Sequence, residues 1–128
     1  MIRFEVNIVE KEKITLLSEQ LMNLVEESYL RFEKTKEKEL NYDFYKDVKP
    51  YCDYLNDLLI EWESGVIHWI KKERPKYLTQ IQIKNTSEHI EQISLQSFYG
   101  DTSRKRMKDQ KESVLFILNS IVRSLKGE

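Results

Sequence analysis

Cysteine, glycine and proline are scarce in this 128-residue chain, at one, three and two residues respectively. A lone cysteine, Cys52, excludes an internal disulfide and has no neighbour at zinc-ligand spacing, which fits a reducing cytoplasm. On an apolar helix it reads as a small core residue rather than a reactive thiol. With so few glycines there is no Gly-rich loop to cradle a phosphate and no Gly-x-Ser-x-Gly turn to raise a nucleophile. No stretch approaches the roughly 20 apolar residues of a membrane span, and residues 1–10 lack the unbroken apolar core of a signal peptide, so a soluble protein is expected. Charge of one sign is missing as well. The 21 basic and 22 acidic residues leave a net −1, and the molecule has no overall field to draw it to nucleic acid or an anionic membrane. Histidine is limited to His68 and His89, on different predicted helices, and no Glu-x-x-His pair occurs. The di-iron arrangement found in many four-helix bundles is therefore not expected, nor is any other metal or cofactor.

What is abundant is helical pattern: 40% hydrophobic and 34% charged residues, with apolar positions recurring at three- and four-residue steps. The strongest stretch is Tyr54 to Tyr77, where Leu55, Leu58, Leu59, Trp62, Val66, Trp69 and Ile70 share one broad face. Residues 2–8 alternate Ile2, Phe4, Val6 and Ile8 with polar residues, a strand-like period of two, but nothing else offers them a sheet. Asn7 and Glu10 make a competing N-cap pair, so the first residues are read as an arm whose conformation is left open and helix 1 starts near Ile8. Its stripe is Ile14, Leu17, Leu21, Leu24, Val25, Ser28 and Phe32, and it dissolves into the solvated run 34–41.

Pro50 cannot sit in a helix interior, so the spacing predicts a short helix over 43–48 followed by a long one from Pro50 to about Lys72, stopped by Pro75. Thr79 and Gln82 form a capping box, with Leu78 and Ile83 as the flanking staple, and Gly100 ends that helix. Its core face is thin, because Thr86, Ser87, Ser94 and Ser97 fall between Ile83, Ile90, Ile93 and Phe98. The last helix carries Met107 in a charged first half and a dense stripe of Val114, Leu115, Leu118, Ile121, Val122 and Leu125 in its second. One domain over 1–128 is expected, all-α, an up-and-down four-helix bundle with helices at about 8–37, 43–72 with a break or kink near Pro50, 79–99 and 103–126.

The stretches Tyr42-Asp43-Phe44, Lys49-Pro50, Trp62, Gly65, Arg74-Pro75-Lys76-Tyr77, Leu95-Gln96-Ser97, Lys105-Arg106, Lys108-Asp109 and Glu112-Ser113-Val114-Leu115 carry a family resemblance. Over residues 40–118 the chain resembles the YppE-like family, small uncharacterised proteins of Gram-positive bacteria related to Bacillus. Met107 stands where that pattern has an aromatic. The resemblance implies a four-helix bundle and no established activity.

Residues 101–128 hold seven basic residues against four acids, whereas residues 1–40 hold seven against nine. The candidate interaction residues are Arg74, Lys76 and Tyr77 at one pole, Arg104, Lys105, Arg106 and Lys108 at the other, and Gln96 on the third helix. Separation of the two basic clusters by most of a helix argues against a continuous nucleic-acid track. For Arg74 to Tyr77 a structural alternative has Pro75 fixing the turn, Tyr77 packed under it and Arg74 capping carbonyls or pairing with an acid. Gln92, Gln96 and Ser97 either line a polar groove with Tyr99 at its rim or simply let the third helix approach a neighbour closely.

The leading expectation is a non-enzymatic cytoplasmic module that binds another protein, through the thin face of the third helix and the charged corners. The alternative is nucleic-acid or nucleoprotein association through Arg104 to Lys108, and a third reading is a small-ligand pocket near Trp62, Trp69 and Tyr77. A monomer, or a homodimer through the third helix, fits each.

Overall fold

The Asn7 side-chain oxygen accepts the Glu10 N–H at 2.9 Å, and the first helix starts there. The computed structural model describes residues 7–127 and comprises α1 (Ile8–Lys38), a π-helical turn (Phe44–Val48), α2 (Lys49–Glu73), α3 (Gln80–Tyr99) and α4 (Arg104–Leu125). The alternating segment 2–6 lies outside the described residues. At the far end of α1 the chain turns through Glu39 in the left-handed region, with φ 51, and Leu40 N–H reaches back to the Thr35 carbonyl at 3.3 Å.

The short helix expected before Pro50 is there, over Phe44–Val48, and it runs into α2 through a wider, π-helical turn. Val48 N–H bonds to the Asp43 carbonyl at 3.3 Å and Lys49 N–H to the Phe44 carbonyl, five residues back. The wider turn brings the chain through Pro50, which has no N–H to offer and whose ring would crowd a regular preceding turn. Pro50 itself sits in the first turn of α2, where the missing N–H costs nothing.

α3 opens on a reciprocal capping box: Gln82 N–H donates to Thr79 Oγ1 at 3.2 Å and Thr79 N–H to Gln82 Oε1 at 2.9 Å. It closes at Gly100, whose φ of 67 favours glycine and whose N–H reaches the Gln96 carbonyl at 2.8 Å. Ser103 Oγ then caps α4 by accepting the Arg106 N–H at 3.1 Å.

Ion pairs and hydrogen bonds give the helix directions. Lys11 meets Glu73 at 2.9 Å, so the start of α1 lies at the end of α2. Lys36 Nζ donates to the Gly100 and Thr102 carbonyls at 3.0 and 2.9 Å, and Arg104 meets Glu33 at 3.4 Å. The end of α1 therefore lies beside the end of α3 and the start of α4, as an up-down-up-down course requires.

The cross-section is flattened. α1 has its most extensive contact with α3, across the bundle, while α2 and α4 scarcely touch. The buried polar residues explain the choice of diagonal, because Ser18, Ser28 and Thr35 lie on α1 and Thr86, Ser87, Ser94 and Ser97 on α3. Small side chains let two helix axes approach the short end of the usual ~8–10 Å range. Around that seam the core closes over Leu21, Phe32, Leu59, Trp62, Ile83 and Leu118, each 0 or 1% exposed. Trp62 Nε1 donates to Ser18 Oγ at 2.9 Å, so a buried indole N–H and a buried hydroxyl satisfy each other. Met107, in the charged half of α4, is fully buried in the same core.

The thin face of α3 is consequently internal. It cannot serve as a docking surface in this fold, because α1 occupies it.

Candidate functional site

Sequence-distant residues meet most densely around Arg31. Its guanidinium lies 4.3 Å from the centroid of the Tyr51 ring and 4.4 Å from that of Phe98, and it donates to Ser97 Oγ at 3.1 Å and Glu27 Oε1 at 3.0 Å. Tyr42 packs edge-on against Phe98, and Ser28 shares a hydrogen bond of 3.3 Å with the Tyr51 hydroxyl. Burial pushes the Tyr51 phenol above its usual range, the Ser28 hydrogen bond and Arg31 pulling back. Burial likewise pushes the Cys52 thiol up, with Ser94 opposing. This is a clamp across α1, α2 and α3: the Tyr51 and Phe98 rings meet edge-on at 5.5 Å and the cation sits in the corner they form, its side chain largely buried.

The sequence-predicted residues divide between the poles. Arg104 pairs with Glu33, Lys105 with Asp109 at 3.5 Å, and Lys108 with Glu112 at 4.0 Å. Arg106 stands exposed beside them. Gln96 is half-buried on α3, its Oε1 enclosed and without a hydrogen-bond partner. Ser97, fully buried, donates to the Ser94 carbonyl at 2.6 Å and accepts from Arg31, so the polar-groove reading of Gln92, Gln96 and Ser97 gives way to close helix approach.

At the opposite pole, Arg74 caps α2 in the left-handed conformation with φ 46, its N–H on the Ile70 carbonyl at 2.9 Å. Arg74 thus caps through its backbone. Tyr77 does not pack under the Pro75 turn: it is 89% exposed and held at φ 66. A pocket shared by Trp62, Trp69 and Tyr77 is also excluded, since both indoles are buried in the core while Tyr77 stands in solvent.

Tyr77 borders a different cleft, of about 490 Å³, lined by Lys76, Tyr77, Leu78, Gln82, Phe116, Ile117, Ser120, Arg123 and Ser124. It lies where the α2–α3 turn meets the second half of α4. Phe116 is 72% exposed. Sequence reasoning named Lys76 and Tyr77 but missed Phe116 and Arg123. A signal was available, because Phe116 falls two residues after Val114 and two before Leu118, off the core stripe, and 116, 120 and 123 form a second stripe of their own. Among the described residues, no group of three or more His, Cys, Asp or Glu side chains is arranged to hold a metal ion, and no helix is long and apolar enough to cross a membrane.

Residues 18–125 match the family model for a bacterial domain of unknown function, DUF1798. The chain belongs to the DUF1798 family. It is 31% identical over 105 residues to the uncharacterised protein YppE of Bacillus subtilis strain 168, covering 82% of this chain and 85% of that one. Among solved structures, a Listeria innocua protein of unknown function superposes with a TM-score of 0.88 at 25% identity, over 92% of this chain and 94% of its own. The crystal structure of B. subtilis YppE superposes at 0.83 with 30% identity, over 87% and 90% of the two chains. These DUF1798 relatives share the four-helix fold and carry no described activity to transfer.

Proposed function

We propose that this DUF1798 chain is a non-enzymatic, cytoplasmic protein-binding module whose docking site is the cleft between the α2–α3 turn and α4. The observation that carries the reading is Tyr77, an aromatic residue standing in solvent in a backbone conformation that disfavours it, at the lip of a cleft. A non-glycine residue in the left-handed region costs about 1–2 kcal/mol, and no burial of the ring offsets that cost here. Strain of this kind concentrates where a side chain is held out for contact. Phe116 and Ile117 add apolar surface beside it, and exposed aromatics are the usual anchors of protein interfaces. Among the described residues no His, Asp or Glu lines the cleft to serve as a catalytic base, which favours binding over chemistry.

Nucleic-acid association through Arg104, Lys105, Arg106 and Lys108 has less support, since three of the four already face carboxylates. The deciding experiment is affinity capture from native lysate by wild type and by a Tyr77→Ala/Phe116→Ala variant, with nuclease present. A protein retained by wild type and lost by a variant of unchanged circular dichroism supports the reading. Retention of every captured protein by the variant refutes it.

A further inference from the structure

The cleft beside Tyr77 has an unusual charge content for this surface. Among the described residues its lining holds two cations, Lys76 and Arg123, and no carboxylate, whereas four other clefts each carry at least one Asp or Glu. Some cations elsewhere on the bundle face carboxylates, as in Lys11–Glu73, Lys13–Glu61 and Lys111–Glu26. Among the described residues, Lys76 and Arg123 make no ion pair. The neutral groups lean the same way. Gln82 has its side-chain oxygen committed to the Thr79 N–H, which leaves its amide NH2 to donate. Ser120 is the exception: its proton goes to the Phe116 carbonyl at 2.8 Å, which leaves its oxygen as an acceptor. The cleft is therefore rich in donors, poor in acceptors and flanked by two exposed rings.

We infer that the partner's docking element is an acidic peptide segment, with an Asp or Glu carboxylate set between Lys76 and Arg123 and a neighbouring apolar side chain laid against Tyr77 and Phe116. The inference rests on the protein-binding reading and specifies the chemistry of the partner. Arg123 supplies a planar pair of donors suited to a carboxylate, and Lys76 a point charge. The volume, about 490 Å³, exceeds what one carboxylate fills and leaves room for an adjacent side chain.

A random peptide library displayed on phage and selected on the full chain tests this, with winning peptides measured by fluorescence anisotropy against wild type, Lys76→Glu/Arg123→Glu and Tyr77→Ala. The expected winners carry Asp or Glu next to Phe, Leu or Trp. They should lose at least tenfold in affinity to the charge-reversed variant, and weaken as salt rises. Both cations are exposed, so the variant should keep the wild-type melting temperature. Winners of neutral composition that depend on Tyr77 but not on the two cations overturn the acidic-segment inference while leaving the protein-binding reading in place. Failure to enrich any peptide sensitive to Tyr77 overturns both. A concentration-dependent dimer abolished by Lys76→Glu/Arg123→Glu would assign the cleft to a second copy of this chain, and would likewise overturn the inference.

Discussion

Replacing Arg31 with alanine should cost about 2–3 kcal/mol of folding stability, although the residue carries a full charge and lies partway along a helix. The magnitude follows from its surroundings. Its side chain is only 15% exposed, so the two ring contacts at 4.3 and 4.4 Å act in a largely desolvated site. Each such contact contributes about 1 kcal/mol. The bond to buried Ser97 Oγ uses a charged donor and contributes about 1.5 kcal/mol. Glu27 is 57% exposed, and the i,i+4 pair with it adds only about 0.3 kcal/mol. Against these stands the rotamer entropy recovered on truncation, about 1–2 kcal/mol. For a domain of this size the net loss corresponds to roughly 10 °C in melting temperature. Urea unfolding followed by circular dichroism measures it. Arg31→Lys keeps the charge but not the flat guanidinium, and should lose about half as much. Arg104→Ala, at the exposed pair with Glu33, should stay within about 0.5 kcal/mol of wild type. If Arg31→Ala also stays within that margin, the ring and Ser97 contacts of the clamp contribute nothing to stability, which refutes the expected loss.

Three further outcomes follow from the same geometry. Ser94 and Ser97 are both buried on α3, but Ser94 Oγ has only the Cys52 thiol near it, with no hydrogen bond of good geometry, while Ser97 is bonded on two sides. Ser94→Ala should be neutral or stabilising and Ser97→Ala destabilising by about 1–2 kcal/mol; equal unfolding midpoints would contradict this. Gly65→Ala should lower the melting temperature even though alanine gains about 1 kcal/mol in helix propensity. Its Cβ would stand 3.1 Å from Ile14 Cγ1 in the core, and a rise in melting temperature would show that α1 yields easily there. Finally, the folded state holds the Tyr51 and Cys52 protons more tightly than the unfolded chain does. Their contribution is complete below their ordinary values of about 10 and 8.5 and is lost as pH rises through the raised values. Unfolding free energy measured from pH 8 upward should therefore fall less steeply in Tyr51→Phe/Cys52→Ala than in wild type, and parallel curves would refute the assignment.

The sequence placed the helix ends within a residue or two because each end is a local device. The pairs Asn7 with Glu10, Thr79 with Gln82 and Ser103 with Arg106 act over three residues and need no tertiary partner. Pro50 was only half legible: that a regular helix could not pass through it was visible, but the π-helical answer depends on backbone geometry that residue types do not state. Lys76 and Tyr77 were named as candidate interaction residues, yet the residues of α4 that share a cleft with them went unnamed, because a residue off the core stripe is ordinarily just solvated. The pocket expected at Trp62, Trp69 and Tyr77 failed for a related reason. Helical spacing says which residues share a face, and does not say whether that face ends in the core or at the rim.

By itself, then, the sequence determined four amphipathic helices, their caps and the apolar stripes that had to meet, since each of these is set by covalent geometry and spacings of three or four residues. Only the tertiary structure decided that α1 and α3 take the short diagonal, that Arg31 lies against rings contributed by positions 51 and 98, and that Phe116 and Arg123 join Lys76 and Tyr77 around one cleft. Those juxtapositions join residues roughly 20 to 70 positions apart. They arise from how small and large side chains interlock when four helices close on one core, a collective fit that no short window of sequence contains.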